Sequence, residues 1–431
     1  MTTRLRYVAQ INPLTRRFDR LAENDMVPFL PMENVWPGAR LDLSQVRPKS
    51  AVAVGYTRFQ SGDIVVPKIT PTFEASRSVL IPALPNGVGA GTTELHVVRP
   101  GPEIEPRYLL YIFHSHNFLK RGEAEMYGVA GQKRVPDELI RDWPLDLPSI
   151  EEQGRIADFL DAETARIDQI AATQRAAKKV LLERRAAVVF CAVTGSSHQD
   201  RIPSTLAWVD NLPSNWKAVR LSHVARMGSG HTPSRNKPEW WIDCTIPWIT
   251  TGEVSQMRSD RLEVITETRE KISRIGLANS SAEVHPKGTV VLCRTAASAG
   301  YSAVMGRDMA TSQDIATWTC GPELDPFFLL WCLRAMRTDL LQRLATGSTH
   351  KTIYMPDLQA LRIPLPSVDQ QRHIVSTIRS SNAAIDSAID VIDRQLALLF
   401  ERRQALITSA VTGQIEVTTA QGPTQPSGVS T

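Results

Sequence analysis

The sequence predicts a mixed α+β protein in which two duplicated globular domains are joined by two long helices that pair as an antiparallel coiled coil. Three observations lead to this prediction. The segment Leu147–Gln153 recurs as Leu365–Gln371, 218 residues later, and the repeat keeps its register as far as Gly195 and Gly413. A heptad pattern of apolar residues runs through both copies. The stretch before each copy contains short apolar runs typical of strands.

Composition places the chain among folded proteins of several domains. It has 431 residues, of which 42% are hydrophobic and 22% charged, with a mean hydropathy of −0.18. No stretch approaches the ~18 apolar residues of a membrane helix, and Met1 to Arg6 lack the apolar core of a signal peptide. We therefore expect a cytoplasmic protein without membrane contact. The five cysteines form no C-x-x-C pair, so we expect neither disulfides nor a metal site.

The first globular domain is expected to span residues 1–148. Apolar runs bounded by Gly, Pro or Asn predict strands from Val27 to Leu30 and from Ile64 to Val66. An amphipathic pattern predicts a helix from Arg107 to Leu119 near the end of the domain. The order of the strands does not follow from these signals.

The second globular domain is expected at residues 212–366, after a linker at 196–211. It repeats the pattern of the first domain, with strands predicted from Ile246 to Thr250 and from Thr289 to Leu292. A helix is predicted from Pro326 to Leu344. This duplication predicts that both domains share one fold.

The first long helix is expected at residues 149–195. Ser149 and Glu152 fit a capping box, and Pro148 disfavours helix before them. Gly195 stands where a left-handed residue ends a helix. A continuous helix of this length would measure ~70 Å, which is more than a single small domain can bury.

The second long helix is expected at residues 367–413 from the same signals, with Ser367 and Gln370 as its capping box and Gly413 at its end. Because the chain must return, the simplest pairing of the two helices is antiparallel. The alternative is that each helix packs on its own domain only. The remaining residues, 414–431, are rich in Thr, Gln, Gly, Pro and Ser and are expected to be disordered.

The seam of the predicted coiled coil is the row of apolar residues spaced by four and three. The predicted seam residues are Ile156, Leu160, Ile167, Ile170, Leu181, Ile374, Ile378, Ile385, Ile392 and Leu399. Polar residues interrupt the row in each copy, at Glu163, Gln174 and Arg184 and again at Ser381, Gln395 and Arg402. Polar seam residues cost stability but can fix the register of a coiled coil.

Two loops rich in glycine and polar side chains are candidates for contacts with nucleic acid. They run from Tyr127 to Arg134 and from Thr346 to Thr352, and such loops can hold phosphate oxygens and approach base edges. A third loop, from Gly228 to Trp241, combines basic and aromatic residues. Arg294 follows a predicted strand, and Lys68 occupies the same place in the first half. The candidate DNA-binding residues are Lys68, Gly131, Lys133, Arg134, Arg235, Lys237, Arg294, Ser348, His350 and Lys351.

For each loop the alternative is a plain turn before the next element. Trp240 and Trp241 are better interpreted as core anchors than as surfaces on which bases stack. A search for catalytic motifs gives no site: there is no G-x-x-x-x-G-K-[ST] phosphate loop, and Asn12-Pro13 is not followed by the aromatic residue of an amino-methyltransferase motif. We therefore expect no catalytic residues on this chain.

These motifs together resemble the DNA-specificity subunit of type I restriction-modification systems. The resemblance rests on L-P-S-x-x-x-Q followed by a long heptad helix that ends in Glu-Arg-Arg and Val-Thr-Gly, twice. In the second domain it also rests on Thr232-Pro-Ser234, Pro238–Trp241, Ile246–Ile249 and Arg294–Gly300. The first domain lacks the Thr-Pro-Ser loop and the string of small residues after the arginine.

The resemblance implies a non-catalytic subunit that binds double-stranded DNA. Each globular domain would be a target recognition domain for one half of an asymmetric bipartite sequence, and the helices would be the spacer and the docking surface for two methylation subunits. Restriction and translocase subunits would complete the complex. S-adenosylmethionine, ATP and Mg²⁺ would act on the partner subunits, with no cofactor on this chain.

Two other functions stay open at this point. A self-contained methyltransferase or endonuclease would need the catalytic motifs that are missing from the sequence. A coiled-coil adaptor without a role in DNA binding would need only the helices. The target sequence and the length of the gap within it do not follow from the residues.

Overall fold

The chain folds into two compact units, described by a computed structural model for residues 2–128, 132–345 and 352–417. Unit 1 comprises Met1–Ala176 and Ile392–Thr431, and unit 2 comprises Ala177–Val391. Both units mix helices and strands, and each contains part of both long helices. The predicted α+β fold class with two globular domains and two long helices is confirmed.

Unit 1 contains two four-stranded sheets. The first sheet is antiparallel throughout, with the strand order Ala9–Ile11, Leu95–Pro100, Ile64–Pro67 and Val79–Leu80. The second sheet has the order Val46–Pro48, Met26–Leu30, Val88–Gly91 and Thr57–Gln60. In the second sheet, the two central strands are parallel and the outer pairs are antiparallel.

Unit 2 repeats this arrangement with the same strand order. Its first sheet runs Ala225–Ser229, Ile315–Cys320, Val290–Cys293, Ser302–Met305 and, as an added parallel edge, Val264–Ile265. Its second sheet runs Glu270–Ile272, Ile246–Ile249, Met309–Thr311 and Val284–His285, again with a parallel central pair. The duplication predicted from the sequence is therefore a duplication of topology.

Shorter elements complete each unit. The helices of unit 1 are Leu5–Val8, Arg16–Asp19, Lys49–Val52, Pro106–His114, His116–Glu125 and Asp137–Arg141, with 3₁₀ turns at Met32–Asn34 and Pro85–Gly87. The helices of unit 2 are Leu221–Val224, Val254–Met257, Arg274–Ala278, Pro326–Ala335, Arg337–Asp339 and Met355–Gln359, with a π-helical turn at Leu340–Leu344 and 3₁₀ turns at Pro238–Trp241, Thr251–Glu253 and Ala296–Ser298. Two-stranded pairs join Thr2–Arg4 to Pro144–Asp146, Val35–Trp36 to Arg40–Leu41, Arg201–Leu206 to Val209–Pro213, and Lys217–Arg220 to Arg362–Leu365.

Each first sheet is buried on both faces, which explains why its central strand is a continuous apolar run. In unit 1, Val65 faces the second sheet in one core, whereas Ile64 and Val66 pack with the helix Pro106–His114 in another. In unit 2, Val291 has the first role, and Val290 and Leu292 have the second. Successive side chains of a strand point to opposite faces, so one strand serves two cores.

The long helices begin and end where capping chemistry places them. Long helix 1 is Ile150–Thr194 and long helix 2 is Val368–Val411. Ser149 Oγ accepts a hydrogen bond from the amide of Glu152, and Ser367 Oγ accepts one from the amide of Gln370. The glycines that end the helices have positive φ, 62° at Gly195 and 70° at Gly413.

Within each unit, the start of one long helix packs beside the end of the other. In unit 1, Ile156 and Leu160 share a core with Ile407 and Ala410. In unit 2, Val375 and Ile378 share a core with Val189 and Val193. The two helices are therefore antiparallel in both units, as predicted.

One ion pair between the long helices also occurs twice. Arg403 Nε lies 3.5 Å from Asp168 Oδ1 in unit 1, and Arg185 Nε lies 3.2 Å from Asp386 Oδ1 in unit 2. Arg185 is buried, and its Nη atoms also donate to the carbonyl oxygens of Ser259 and Asp260. Asp168 is equivalent to Asp386 in the repeat, and Arg185 is equivalent to Arg403. In unit 1 long helix 1 supplies the aspartate and long helix 2 the arginine, whereas in unit 2 these roles are exchanged.

The predicted seam requires one correction. Ile156, Leu160, Ile167, Ile378, Ile385 and Ile392 are buried, and Leu181, Ile374 and Leu399 are partly buried. Ile170, however, is 42% exposed, and Ala171 is buried in its place. The step after Ile167 is four residues rather than three, so alternate seam positions such as Ala171 and Arg185 lie one residue beyond the prediction, whereas Leu181 keeps its place.

This shift also changes the polar residues of the seam. Arg185 and Asn382 are buried, whereas the predicted Arg184, Gln395 and Arg402 are exposed. The polar residues that interrupt the seam therefore include the arginines that form the repeated ion pair, each one residue beyond the predicted position.

Three other predicted boundaries differ from the structure. The helix predicted from Arg107 to Leu119 breaks at Ser115, whose backbone is extended and whose Oγ donates to the carbonyl of Ile112. The helix predicted from Pro326 to Leu344 is divided at Met336 and again at Leu340. The linker predicted at 196–211 contains most of the hairpin that ends at Pro213.

The predicted disordered tail falls mainly outside the described residues, because the description ends at Val417. Val417 itself packs against the core of unit 1.

A buried glutamine connects each globular part to the start of a long helix. Gln153 Nε2 donates to the carbonyls of Glu103 and Pro148, at 3.1 and 3.0 Å, and its Oε1 accepts from the amide of Glu105 at 2.9 Å. Gln371 makes the same three bonds in unit 2, to Glu323, Pro366 and Asp325, at 2.9, 2.9 and 2.8 Å. These bonds explain the last residue of the repeated L-P-S-x-x-x-Q motif.

We expect Gln371→Leu to lower the free energy of unfolding of unit 2. The change leaves three buried main-chain groups without a partner, at a cost of about 1–3 kcal/mol for each group. Urea unfolding monitored by tryptophan fluorescence measures the effect. Gln359→Ala, at an exposed glutamine of the same unit, is the matched control and should change stability little. Equal midpoints for the two variants would show that the buried bonds do not stabilise the unit.

Candidate nucleic-acid interface

The two units present a basic side chain at the same strand end. Lys68 follows the strand Ile64–Pro67, and Arg294 follows the strand Val290–Cys293. The amide of Lys68 donates to the carbonyl of Glu94, and its own carbonyl accepts from Val135, both at 2.8 Å. Main-chain bonds thus hold the backbone of Lys68 in place at the strand end.

The main-chain bonds of Arg294 are equivalent. Its amide donates to the carbonyl of Asp314 at 2.9 Å, and its carbonyl accepts from Ile353 at 2.8 Å. Lys68 Nζ donates to the carbonyl of Thr93 at 3.1 Å, and Arg294 Nε donates to that of Gln313 at 2.9 Å. The equivalence of Lys68 and Arg294 inferred from the sequence therefore extends to their hydrogen bonds.

A three-residue turn beside each strand end is also built in the same way. It comprises residues 92–94 in unit 1 and 312–314 in unit 2. The first amide of each turn donates to the second sheet: Thr92 to the carbonyl of Leu30, and Ser312 to that of Ile249. The first hydroxyl of each turn accepts from the third amide, at 3.3 Å for Thr92 and 3.4 Å for Ser312. The middle and last side chains differ between the units.

In unit 1 the last residue of the turn binds one of the predicted DNA contacts. Glu94 forms two parallel bonds with Arg134, from Nε to Oε2 at 2.9 Å and from Nη2 to Oε1 at 2.7 Å. This pairing lowers the pKa of Glu94 and raises that of Arg134. Burial lowers the pKa of Lys68, against an opposing effect of Glu94. The guanidinium group of Arg134 is therefore already paired with Glu94 within the protein.

Lys68, Glu94 and Arg134 line a cavity of about 370 Å³ with His96 and Asn12. His96 Nε2 donates to the carbonyl of Val135 at 3.0 Å, and its Nδ1 lies 3.4 Å from Asn12 Nδ2 and can accept from it. Burial lowers the pKa of His96 to about 4, so the imidazole is neutral near pH 7. The positive charge at this cavity therefore comes from Lys68 and Arg134.

In unit 2 the middle residue of the turn binds a loop that the sequence singled out. Thr232 Oγ1 donates to Gln313 Oε1 at 2.6 Å, so the Thr-Pro-Ser loop, the turn and Arg294 form one cluster. Gly230 allows this approach, because a Cβ there would overlap the carbonyl oxygen of Thr311. The amide of His231 donates to that same carbonyl at 3.0 Å.

Arg235 is exposed and contacts two side chains of its own unit. Its guanidinium carbon lies 4.0 Å from the ring centre of Trp241, and its Nη2 lies 2.7 Å from Glu270 Oε2. Trp241 packs at 5.7 Å from Trp248 and donates from Nε1 to the carbonyl of Ser234. Trp241 is therefore an anchor of the loop, as the sequence interpretation favoured, and Arg235 stacks on it.

The remaining predicted residues divide into two groups. Lys133 and Lys237 are described and exposed. Gly131, Ser348, His350 and Lys351 lie outside the described residues. The sequence reasoning did not find Glu94 or Gln313, which lie one and two residues before the start of an apolar strand.

Two general findings bear on other kinds of site. In the described ranges 2–128, 132–345 and 352–417, no group of three His, Cys, Asp or Glu residues could hold a metal ion. Among the helices of that same described part of the chain, none is long and apolar enough to cross a bilayer.

Comparison with known protein families gives a match within unit 2. Residues 213–389 match the family described as "Type I restriction modification DNA specificity domain". The match includes Arg294, the turn at 312–314 and the beginning of long helix 2.

Individual relatives match parts of the chain. It is 43% identical over 158 residues to the type I restriction enzyme EcoAI specificity subunit of Escherichia coli, which covers 36% of this chain and 26% of that relative. It is 41% identical over 150 residues to the EcoEI specificity subunit, also of Escherichia coli, which covers 35% of this chain and 25% of that one. These matches thus span about a quarter of the length of the two relatives.

Solved structures match nearly the whole chain in fold. One chain, from a study described as "Structural basis underlying complex assembly and conformational transition of the type I R-M system", has a TM-score of 0.73 at 19% identity and covers 96% of this chain and 98% of that chain. The HsdS subunit from Thermoanaerobacter tengcongensis has a TM-score of 0.50 at 19% identity and covers 96% and 97%. The chain thus matches a type I restriction modification DNA specificity domain over residues 213–389, and nearly its whole length has the fold of these two solved structures.

Proposed function

We propose that this chain is the sequence-specific DNA-binding subunit of a type I restriction-modification complex. The observation that carries the proposal is the duplication of one scaffold with different side chains at the same place. Each unit holds a basic residue at an equivalent strand end, next to an equivalent turn, but the turns differ in their exposed residues. Two such units suit a bipartite target whose two halves differ in sequence.

The chemistry at the two strand ends fits contacts with DNA. Lysine and arginine neutralise phosphates, and the arginine fork can also bind the O6 and N7 atoms of guanine. Lys133 and Lys237 add exposed positive charge to two of the loops that the sequence predicts to contact nucleic acid. Arg134 would need to exchange Glu94 for a phosphate, so its contribution to affinity should be smaller than that of Arg294.

The long helices have the properties of a spacer. Each is a continuous helix that begins in one unit and ends in the other, and the repeated ion pair fixes its register within both units. We propose that the length of the helices sets the gap between the two halves of the target, and that their outer faces dock two methylation subunits and the restriction subunits.

The chemistry of the complex would belong to those partners. In this proposal the chain is non-catalytic, and S-adenosylmethionine, ATP and Mg²⁺ are bound by the methylation and restriction subunits. The sequence supports this division because it lacks a phosphate-binding loop and an amino-methyltransferase motif.

The direct test is to co-express the chain with a methylation subunit encoded beside it and to map methylated adenines on a plasmid by single-molecule sequencing. We expect a two-part motif with a fixed gap. A reaction without the methylation subunit is the control and should give no methylation. If the chain alone methylates DNA, or if the complex methylates without a bipartite motif, the proposal is wrong.

Neutralising Arg294 or Lys133 should weaken binding to a duplex that contains the mapped target. If the lost contact is to a phosphate, the slope of log K against log salt falls by about one. If it is to a base, the slope persists and discrimination against altered targets falls. Fluorescence anisotropy at several salt concentrations distinguishes the two cases. Lys179→Gln removes the same charge from an exposed face of long helix 1 and is the matched control. Unchanged binding at both positions would exclude these residues from the interface.

Inserting one heptad into each long helix should lengthen the gap and leave both half-site sequences unchanged. Seven residues add about 10 Å of helix, which corresponds to about three base pairs at 3.4 Å each. Suitable positions lie at 176/177 and 391/392, where the two units divide. Mapping methylated sites with the altered subunit measures the gap. A changed half-site sequence, or an unchanged gap, would contradict the spacer role.

A further inference from the structure

Gln313 is exposed at the centre of the turn 312–314, next to Arg294. Main-chain groups of all three residues of this turn take part in holding it. The amide of Ser312 donates to the carbonyl of Ile249. The carbonyl of Asp314 accepts from the amide of Arg294, and the carbonyl of Gln313 accepts from Arg294 Nε. The turn therefore fixes the Cα position of Gln313 and leaves its side chain outside the two cores.

One neighbour orients the amide group of Gln313. Thr232 Oγ1 donates to Oε1 at 2.6 Å, and Gly230 and His231 hold that part of the chain against the carbonyl of Thr311. A glutamine side chain on a surface normally samples many rotamers, and this bond restricts them. Oε1 keeps a second lone pair, and Nε2 keeps its two N–H groups for another partner.

The remaining donor and acceptor of an oriented glutamine amide complement adenine. In the major groove, adenine presents N7 as an acceptor and the N6 amino group as a donor. Nε2 can donate to N7 while Oε1 accepts from N6, and no other base presents this pair of groups. Arg294 donates from Nε to the main-chain carbonyl of Gln313, and its guanidinium group suits an adjacent phosphate or guanine.

We propose that Gln313 is a specificity-determining residue of unit 2 that recognises one adenine in the half-site bound by that unit. Thr232 is a positioning residue, since it acts through the orientation of Gln313. The inference rests on the proposed function of the chain as a DNA-specificity subunit. In unit 1 the equivalent position is Thr93, which cannot make the same paired contact with adenine, so the two units differ in recognition at this position.

The test is to map methylated sites with the full complex carrying Gln313→Ala, Gln313→Glu or Thr232→Val. Gln313→Ala should relax the motif at one A·T pair of one half-site, with discrimination there falling by between about 10-fold and 100-fold. Gln313→Glu should shift the preference at that position to cytosine, whose N4 amino group donates to a carboxylate. Thr232→Val, which keeps the volume but removes the hydroxyl, should weaken discrimination at the same position only.

Gln359→Ala, an exposed glutamine of the same unit, is the matched control and should leave the motif unchanged. Thermal unfolding of each variant shows whether the unit still folds, and the other half-site serves as an internal standard. An unchanged motif with Gln313→Ala in a folded complex, or relaxation at a G·C pair, would overturn the assignment. Those outcomes leave the proposed function intact, whereas absence of any bipartite motif with the unaltered chain defeats the proposed function itself.

Discussion

The buried glutamine at the start of each long helix is the constraint on which the arrangement of each unit depends. Gln153 and Gln371 each satisfy three main-chain groups, two from the loop before an interior helix and one from the proline that precedes the long helix. Buried main-chain groups must be paired, so the loop and the helix start cannot separate without cost. The globular part of a unit is therefore fixed to its helix by directed bonds as well as by apolar packing.

In the proposed function, the same scaffold with different side chains lets one fold bind two different half-sites. Main-chain bonds place Lys68 and Arg294 identically, and the turns 92–94 and 312–314 are held by the same hydroxyl and amide contacts. The two turns differ in their side chains. Glu94 engages Arg134 in unit 1, whereas Gln313 engages Thr232 in unit 2. Equivalent frames with unlike surface groups would suit the asymmetric target of the proposed function.

The sequence predicted those features that repeat or follow a strong period. The register of the repeat predicted both long helices, and the glycines at 195 and 413 predicted where the helices end. Alternate seam positions after Ile167 were wrong by one residue, because Ile170 and Ala171 are both apolar and only packing decides which one faces inward. The break at Ser115 was missed because apolar spacing continues across it and local hydroxyl bonding ends the helix.

The candidate site was less predictable than the fold, because its contacts join residues far apart in the chain. Arg134 was found as a basic loop residue, but its partner Glu94 lies 40 residues away. The link from Thr232 to Gln313 spans 81 residues. No local pattern relates such residues. The order of the strands, which brings each turn beside its strand end, also depends on pairings that a single sequence does not specify.

The turn at 312–314 has a consequence for how such a protein can change over evolutionary time. Its middle residue, Gln313, is held through its main-chain carbonyl, a group that every amino acid possesses, and the Gln313 side chain lies outside both cores of the unit. Replacement of that side chain removes no apolar packing, so selection on stability acts weakly there. In a lineage with this scaffold, the middle side chain of the turn can therefore change at low risk of misfolding. Neutral drift then maintains variants on which selection for a different target can act.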